Sequence, residues 1–384
     1  MFSTRLAWDQ APNAVSRLLD ARRAAGHRIL DLTESNPGRA GISLAGQEIL
    51  NPLSHAGSLC YEPSPLGLEA TRRAVARHLD TPAERLVLTA STSEAYSYLF
   101  KLLADPQDDI LVPQPSYPLF EYLARLEGLS IRPYPLRYHE GWWLDTQELA
   151  RQITERSRAI VVVNPNNPTG SYLKQEELDR LARLCATRNL ALISDEVFFP
   201  CVLEPGLKPV STANVNGCLT FTLGGLSKLL GLPQMKLGWI QVSGPEPLVQ
   251  SSLAKLELIA DSYLSVSAPV QHATISWLER QPAFFSLLMA RLTRNLQTLR
   301  RFTEPLRLEG GWYATIRLRK DRSEEDWAVF LLDRHDVLIQ PGYFYDFGTE
   351  AFAVISLLTA PHEMEEGLRR LRDGDGAPAF ALRR

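Results

Sequence analysis

Residues 159–170 read Ala-Ile-Val-Val-Val-Asn-Pro-Asn-Asn-Pro-Thr-Gly, an apolar run that ends in a polar turn. The run 159–163 is apolar at every position rather than at alternate ones, which predicts a strand buried on both faces. Leu178, Leu181 and Cys185 recur at helical spacing within 174–188, which predicts a helix directly after the turn. A strand covered on both faces and followed by a helix indicates an α/β protein with a mostly parallel sheet.

The same alternation of short apolar runs and helical patterns continues on both sides of this stretch. Further strands are predicted at 85–89, 109–112, 190–194 and 218–223, and further helices at 91–104 and 246–260. Short strands at 313–318, 337–339 and 352–357 indicate a smaller α+β unit near the C-terminal end of the chain.

The length of 384 residues exceeds the size at which one hydrophobic core usually divides. We therefore expect a three-layer α/β/α large domain at 45–260. A smaller α+β domain is expected from 1–44 together with 261–384.

The composition argues against several classes of protein. The formal net charge is -3 and charged residues make up 22%, so there is no electrostatic footprint of a nucleic-acid-binding protein. No stretch approaches the roughly 20 apolar residues of a membrane helix, and the first residues lack the apolar core of a secretory signal. The four cysteines show no Cys-x-x-Cys spacing, so we expect buried free thiols and no metal site. A cytoplasmic protein that acts on small molecules is the resulting expectation.

Four of the predicted strands end in polar segments, and ligands of open α/β sheets bind beyond the carboxyl ends of the strands. These segments are Thr-Ala-Ser-Thr-Ser (89–93), Asn-Pro-Asn-Asn-Pro-Thr-Gly (164–170), Ser-Asp-Glu-Val-Phe (194–198) and Gly-Gly-Leu-Ser-Lys (224–228). In this order and spacing, with Lys-Leu-Gly-Trp following at 236–239, they resemble the class I/II aminotransferases. That family has the fold of aspartate aminotransferase, fold type I of the pyridoxal-phosphate enzymes, and the resemblance covers about 31–372.

The resemblance implies that pyridoxal 5'-phosphate is the cofactor. This cofactor stabilises a carbanion next to nitrogen, which requires a lysine amine for a Schiff base and an acid that keeps the pyridine nitrogen protonated. Lys228 matches the Schiff-base lysine, which is also the family's general base, and Asp195 matches the acid. The alternatives are a solvated surface lysine for Lys228 and a helix cap or turn residue for Asp195.

The resemblance also implies a phosphate site. Ser91, Thr92 and Ser93 open a predicted helix, whose first N–H groups and positive dipole end favour an anion. Ser227 and Lys236 match the family's other phosphate contacts. The family usually has Arg at the position of Lys236, and a lysine lacks the bidentate fork of a guanidinium.

Three further residues match contacts of the cofactor ring and of a second subunit. Tyr117 matches the aromatic residue that stacks on the ring, and Asn167 matches the donor to its phenolic oxygen, although packing and turn formation are alternatives for both. Tyr61 matches the tyrosine that reaches the phosphate of the neighbouring subunit, so the resemblance implies a homodimer with shared active sites. Gly225 stands where the family often has a second serine.

The sequence departs from the family at two positions that bear on substrates. Phe198 replaces the tyrosine whose hydroxyl helps the asparagine to hold the phenolic oxygen. Val354 replaces the arginine that clamps the substrate carboxylate in a bidentate pair. Without that arginine, either another cation binds the carboxylate or the substrate is not an ordinary amino acid.

Candidate substrate contacts lie in two regions. Asn36 and Arg39 belong to the loop that resembles the family's substrate-side N-terminal loop, and Arg317 is on a predicted small-domain strand. Tyr343 belongs to Gly-Tyr-Phe-Tyr (342–345), whose aromatic residues favour an apolar or aromatic substrate side chain. Surface exposure is the alternative for the two arginines, and core packing is the alternative for the aromatic residues.

The leading hypothesis is an aminotransferase that passes an amino group from an amino donor, an amino acid with an apolar or aromatic side chain, to a 2-oxo acid. The first alternative keeps fold and cofactor but is a lyase, a decarboxylase or a specialised biosynthetic enzyme, because Val354 and Phe198 depart from the pattern. A non-catalytic cofactor sensor that follows a DNA-binding module is a second alternative, and the lack of a basic arm disfavours it.

Overall fold

The computed structural model describes residues 1–8, 11–348, 351–373 and 379. The strands, in chain order, are β1 Leu30–Asp31, β2 Leu86–Thr89, β3 Asp109–Gln114, β4 Ser130–Tyr138, β5 Trp142–Leu144, β6 Ser157–Val163, β7 Ala191–Asp195, β8 Thr220–Gly225, β9 Gly238–Ser243, β10 Tyr313–Arg317, β11 Val337–Leu338, β12 Gln340–Pro341 and β13 Phe352–Ser356. The helices are α1 Ala14–Ala24, α2 Gly46–Leu50, α3 Glu69–Leu79, α4 Thr92–Leu103, α5 Phe120–Leu126, α6 Thr146–Gln152, α7 Gln175–Arg188, α8 Leu226–Leu229, α9 Glu246–Asp261, α10 Ala268–Glu279, α11 Gln281–Phe302, α12 Glu324–His335 and α13 Pro361–Asp373.

The largest sheet has eight strands in the order β2-β9-β8-β7-β6-β3-β4-β5. The pairs from β8 through β7, β6 and β3 to β4 are all parallel. β9 is antiparallel to both β2 and β8, so β2 runs in the same direction as the parallel set. The polar segments that follow β2, β6, β7 and β8 therefore meet at one edge of the sheet.

Helices cover both faces of this sheet, and the strand pattern explains why. Successive residues of a strand face opposite sides, so a strand covered on both faces is apolar throughout. In β6, Val161 and Val163 pack in the cluster that includes buried residues of α4 and α9. Ile160 and Val162 pack in the cluster that includes Leu178 of α7. The α/β fold class with a large, mostly parallel sheet is confirmed.

Two small sheets lie outside the eight-stranded one. β10, β13 and β12 form an antiparallel sheet, and β1 pairs in parallel with β11. The eight-stranded sheet falls within 45–260, while the small sheets combine 30–31 with strands after 313. The division into domains at 45 and 260 stays a prediction.

Three features of the fold differ from the sequence-based expectations or were not foreseen. β4, β5 and β9 had not been predicted as strands, and the region 337–339 forms β11 and then turns into β12. Cys185, Cys201 and Cys218 are buried free thiols, but Cys60 is exposed, so the expectation of burial is wrong for that residue. In the described part of the chain, none of the helices combines the length and the apolar character needed to cross a bilayer.

Candidate active site

A cavity of about 320 Å³ opens where the carboxyl ends of β2, β6, β7 and β8 converge. It brings together nine of the residues that the sequence singled out. They are Ser91, Thr92, Ser93, Tyr117, Asn167, Asp195, Ser227, Lys228 and Lys236. The other described residues that line it are Ser35, Val163, Val197, Phe198, Gly225, Pro233, Leu237, Gly238 and Tyr313.

Lys228 projects into this cavity from the short helix α8, directly after β8. Its Nζ lies 4.6 Å from the ring centroid of Trp312 and 5.3 Å from that of Phe198. Burial lowers the pKa of Lys228 to about 8, while the nearby carboxylate of Asp195 acts in the opposite direction. A buried amine with a depressed pKa is more often neutral near pH 7, as a nucleophile or a general base must be.

Asp195 is the last residue of β7 and is buried. Burial raises the pKa of Asp195 to about 6, opposed by the backbone N–H of Val197, the hydroxyl of Tyr96 and the charge of Lys228. Val197 N–H donates to Oδ1 at 3.2 Å, and the Tyr96 hydroxyl donates to Oδ2 at 3.2 Å. These donors fix the orientation of the carboxyl group at the cavity wall.

The N-terminal turn of α4 forms one end of the cavity. The Ser91 side chain accepts from the Glu94 N–H at 3.1 Å, and the Glu94 carboxylate accepts from the Ala90 N–H at 2.6 Å, which caps the helix. The first N–H groups of a helix have no partner within it. Thr92 and Ser93 line the cavity at this turn, so they offer donors and a positive dipole end to an anion.

A second segment borders this anion-binding turn. A Cβ added at Gly238 would lie 3.2 Å from the carbonyl carbon of Ser91, so the segment with Lys236 packs against the start of α4. A Cβ added at Gly225 would lie 3.1 Å from both Gly238 Cα and Leu237 O, a close approach that favours glycine there.

Asn167 and Tyr117 lie at the other side of the same cavity. Asn167 is buried, and its Oδ1 has no hydrogen-bond partner among the described residues. Leaving a buried polar group unpaired is costly, so this side chain fits a ligand that bonds to it. Tyr117 is 36% exposed and packs edge-on against Phe120 at 6.0 Å, which leaves its ring at the cavity surface.

Five predicted site residues are not among the described residues that line this cavity. Tyr61 is 81% exposed and Tyr343 is 38% exposed. The Arg39 side chain pairs with Glu34 at 3.1 Å, and the Asn36 side chain accepts from the Gly38 N–H at 3.0 Å. Arg317 places its guanidinium 5.4 Å from the ring centroid of Tyr138. Their assigned roles stay predictions.

Several residues of the site had not been singled out from the sequence. Tyr96 bonds to Asp195, and its helical position one turn after Thr92 was the available signal. Ser35 and Tyr313 line the cavity, and Trp312 lies beside the Lys228 amine. Phe198, which was noted only for its missing hydroxyl, packs at 5.2 Å against Trp312 and completes an aromatic wall.

Comparison with known proteins agrees with this geometry. The model of the family described as aminotransferase class I and II matches residues 47–371, which is most of the chain. The chain belongs to this aminotransferase family. Rice (Oryza sativa subsp. japonica) nicotianamine aminotransferase 1 is 28% identical over 338 residues, covering 82% of this chain and 67% of the rice protein.

The chain is also similar to a second relative in sequence and to a solved structure in fold. Alanine aminotransferase of Mycobacterium tuberculosis (strain ATCC 25618 / H37Rv) is 32% identical over 262 residues, covering 65% of this chain and 60% of that protein. The match thus spans somewhat less than two thirds of the mycobacterial enzyme. The solved alanine aminotransferase of Pyrococcus furiosus superimposes with a TM-score of 0.87 at 22% identity, covering 96% of this chain and 98% of that chain. This aminotransferase therefore shares the fold along nearly its whole length.

Proposed function

We propose that this aminotransferase uses pyridoxal 5'-phosphate to move an amino group from an amino acid with an apolar or aromatic side chain to a 2-oxo acid. The proposal rests on one observation above all. A half-buried lysine, a buried acid and the opening turn of a helix border a single cavity at the edge of the sheet. The names of the matched relatives, nicotianamine and alanine aminotransferases, support amino acids as donors.

The donor set of the cavity fits this cofactor. The turn at Ser91–Ser93, together with Ser227 and Lys236, would hold the phosphate. The Asn167 amide, whose buried Oδ1 has no partner among the described residues, would donate to the phenolic oxygen through its N–H group. Tyr117 would stack on the ring. When bound, the cofactor supplies an electron sink for the carbon that loses its proton.

Two residues of the chain carry the proton chemistry. The Lys228 amine would accept the proton from the substrate carbon and later return one, because its pKa is low enough for both protonation states to occur. Tyr96 and Val197 hold the Asp195 carboxylate in place, and that carboxylate would pair with the ring nitrogen of the cofactor. Phe198 and Trp312 lie beside the amine and restrict its position.

The rate at which cofactor-free enzyme captures pyridoxal phosphate should depend on pH through Lys228. With a pKa of about 8, only about a tenth of the amine is neutral at pH 7, so the rate should reach half its maximum near pH 8 and level off above about pH 9. Stopped-flow absorbance of the bound cofactor measures this. A rate that keeps rising to about pH 10, as for an ordinary lysine amine, would contradict the depressed pKa.

The donor class follows from the walls of the cavity. Phe198, Tyr117, Tyr313 and Val197 line it, and these side chains suit an apolar or aromatic group.

We further propose a cytoplasmic homodimer with shared active sites. Tyr61 and Leu59 are 81% and 90% exposed, and large exposed apolar side chains of this kind suit a subunit interface.

Single turnover in the absence of an acceptor tests the activity. Holoenzyme mixed with alanine, leucine, phenylalanine or tyrosine should release the corresponding 2-oxo acid in an amount equal to the enzyme, and a later addition of pyruvate should release alanine. Chromatography of the small molecules measures both halves. Release of carbon dioxide, ammonia or a cleaved side chain instead would favour the lyase or decarboxylase alternative, which the family membership does not favour.

A further inference from the structure

Val354 occupies the place of the family's carboxylate-binding arginine, and it is fully buried in β13. It pairs with Thr315 of β10 on one side and with Gln340 of β12 on the other. An apolar side chain at this position offers nothing to an anion. If the substrate carries a carboxylate, other residues must bind it.

The register of the small sheet indicates which residues these are. Tyr313 pairs with Ser356, and Thr315 pairs with Val354, so Tyr313 and Val354 lie on the same face of the sheet. Such diagonal neighbours lie roughly 7–8 Å apart. Tyr313 therefore projects from the face on which an arginine at position 354 would have stood, and it lines the cavity.

A second hydroxyl joins Tyr313 from a different part of the chain. Ser35, in the loop that follows β1, lines the same cavity as Tyr313. Burial raises the pKa of Tyr313, so its hydroxyl stays protonated and can donate. The Ser356 hydroxyl donates to the backbone oxygen of Glu34 at 2.5 Å, which ties the loop to β13.

The cations near this region are engaged elsewhere. The charged side chains among the described lining residues are Asp195, Lys228 and Lys236. Lys236 is in the segment packed against the start of α4. Arg39 pairs with Glu34 at 3.1 Å, so that these two charges offset one another, and Arg317 lies over Tyr138.

We propose that the hydroxyls of Tyr313 and Ser35 form the subsite for the substrate carboxylate, as two neutral donors in place of a guanidinium fork. This assignment rests on the proposed function, since it concerns the substrate of that same cavity. Neutral donors bind a carboxylate less strongly than a bidentate arginine does. Free acids are therefore bound with a modest preference over the matching uncharged amides.

Binding of 3-phenylpropionate and 3-phenylpropionamide to the holoenzyme tests the subsite, because neither compound carries an amine that can react. Isothermal titration should show that Tyr313→Phe weakens the acid by about tenfold or more and the amide by less than about twofold, as expected for one hydrogen bond to a charged group. Ser35→Ala should also weaken binding of the acid more than binding of the amide. Tyr345→Phe is the matched control, because it removes a hydroxyl that bonds to Gln340 at 2.5 Å.

Three outcomes would overturn the subsite. Equal losses for acid and amide in Tyr313→Phe would show a structural role only. A selective loss of the acid in Arg39→Gln, with none in Tyr313→Phe, would assign the carboxylate to Arg39. If the wild-type enzyme does not bind 3-phenylpropionate, the proposed carboxylate subsite does not exist. If any of these results is found and the enzyme still transfers amino groups, the subsite is refuted and the proposed function stands. If binding of the acid depends on Tyr313 but no amino group is transferred, the proposed function is refuted and the subsite stands.

Discussion

Replacing Lys228 with alanine should lower kcat/KM for amino transfer by more than about a thousandfold, because no other amine takes its place as nucleophile and general base. The described lining residues include one further amine, that of Lys236. It belongs to the segment packed against the start of α4, at the anion-binding end of the cavity. The loss should therefore be close to complete at every pH.

Two measurements separate this role from a structural one. Borohydride reduction of the wild-type holoenzyme should leave the cofactor attached to the peptide with Lys228, as read by mass spectrometry, and the alanine variant should show no such attachment. Lys228→Arg keeps the positive charge beside Trp312 and Phe198 but not the nucleophile, so it should be as inactive as the alanine variant. A small primary amine should restore part of the activity of Lys228→Ala, since truncation opens space against the aromatic wall.

The sheet could be predicted where a strand is buried on both faces, because continuous apolar runs are specific to that environment. The apolar run 159–163 lies within β6, and the helix predicted at 174–188 begins one residue later at Gln175. The helix expected at 246–260 ends at Asp261. Such elements carry their own local signal, so one sequence suffices to find them.

Of the three strands of this sheet that were not predicted, β4 and β9 lack that signal. β4 contains Pro133 and Pro135, which are uncommon inside strands, and it is a strand because β3 pairs with it in parallel. β9 begins at Gly238 inside a segment that was interpreted as a motif, and its antiparallel pairing with both β2 and β8 is a tertiary contact. Pairing between distant segments decided both cases.

The residues of the site also fall into two groups, those that the sequence identified and those that only the folded chain brings together. Lys228 and Asp195 were identified through the resemblance to the class I/II aminotransferases, and their positions at strand ends supported it, since ligands bind at that edge of the sheet. Tyr96 is 99 residues from the carboxylate that it bonds to, and Tyr313 and Ser35 come from distant parts of the chain to line one cavity. Arg39 and Arg317 were chosen for their charge alone, and both engage neighbours outside the lining of the cavity.

Replacing Asp195 with asparagine should lower kcat/KM by at least about a hundredfold while the protein still folds and binds the cofactor. Asparagine has nearly the same shape: its Oδ1 can still accept from the Val197 N–H, and its Nδ2 can donate to the hydroxyl oxygen of Tyr96, which now donates to Oδ2 of the carboxylate. It cannot supply the negative charge that keeps the ring nitrogen protonated. The electron sink is then weaker at the step in which Lys228 removes the proton from the substrate carbon.

Tyr96→Phe provides a graded comparison, because it removes one of the two described donors to Asp195 and leaves the charge in place. It should raise the pKa of Asp195 further above its ordinary range, since the hydroxyl of Tyr96 now opposes the effect of burial. The activity of Tyr96→Phe should fall less than that of Asp195→Asn, and should fall most below about pH 7, where a carboxyl of raised pKa becomes protonated. Steady-state kinetics across pH, with thermal unfolding to show that both variants fold, measures this order. An Asp195→Asn enzyme within about tenfold of wild type would show that the carboxylate does not act on the ring nitrogen, and would leave its burial beside Lys228 without a catalytic reason.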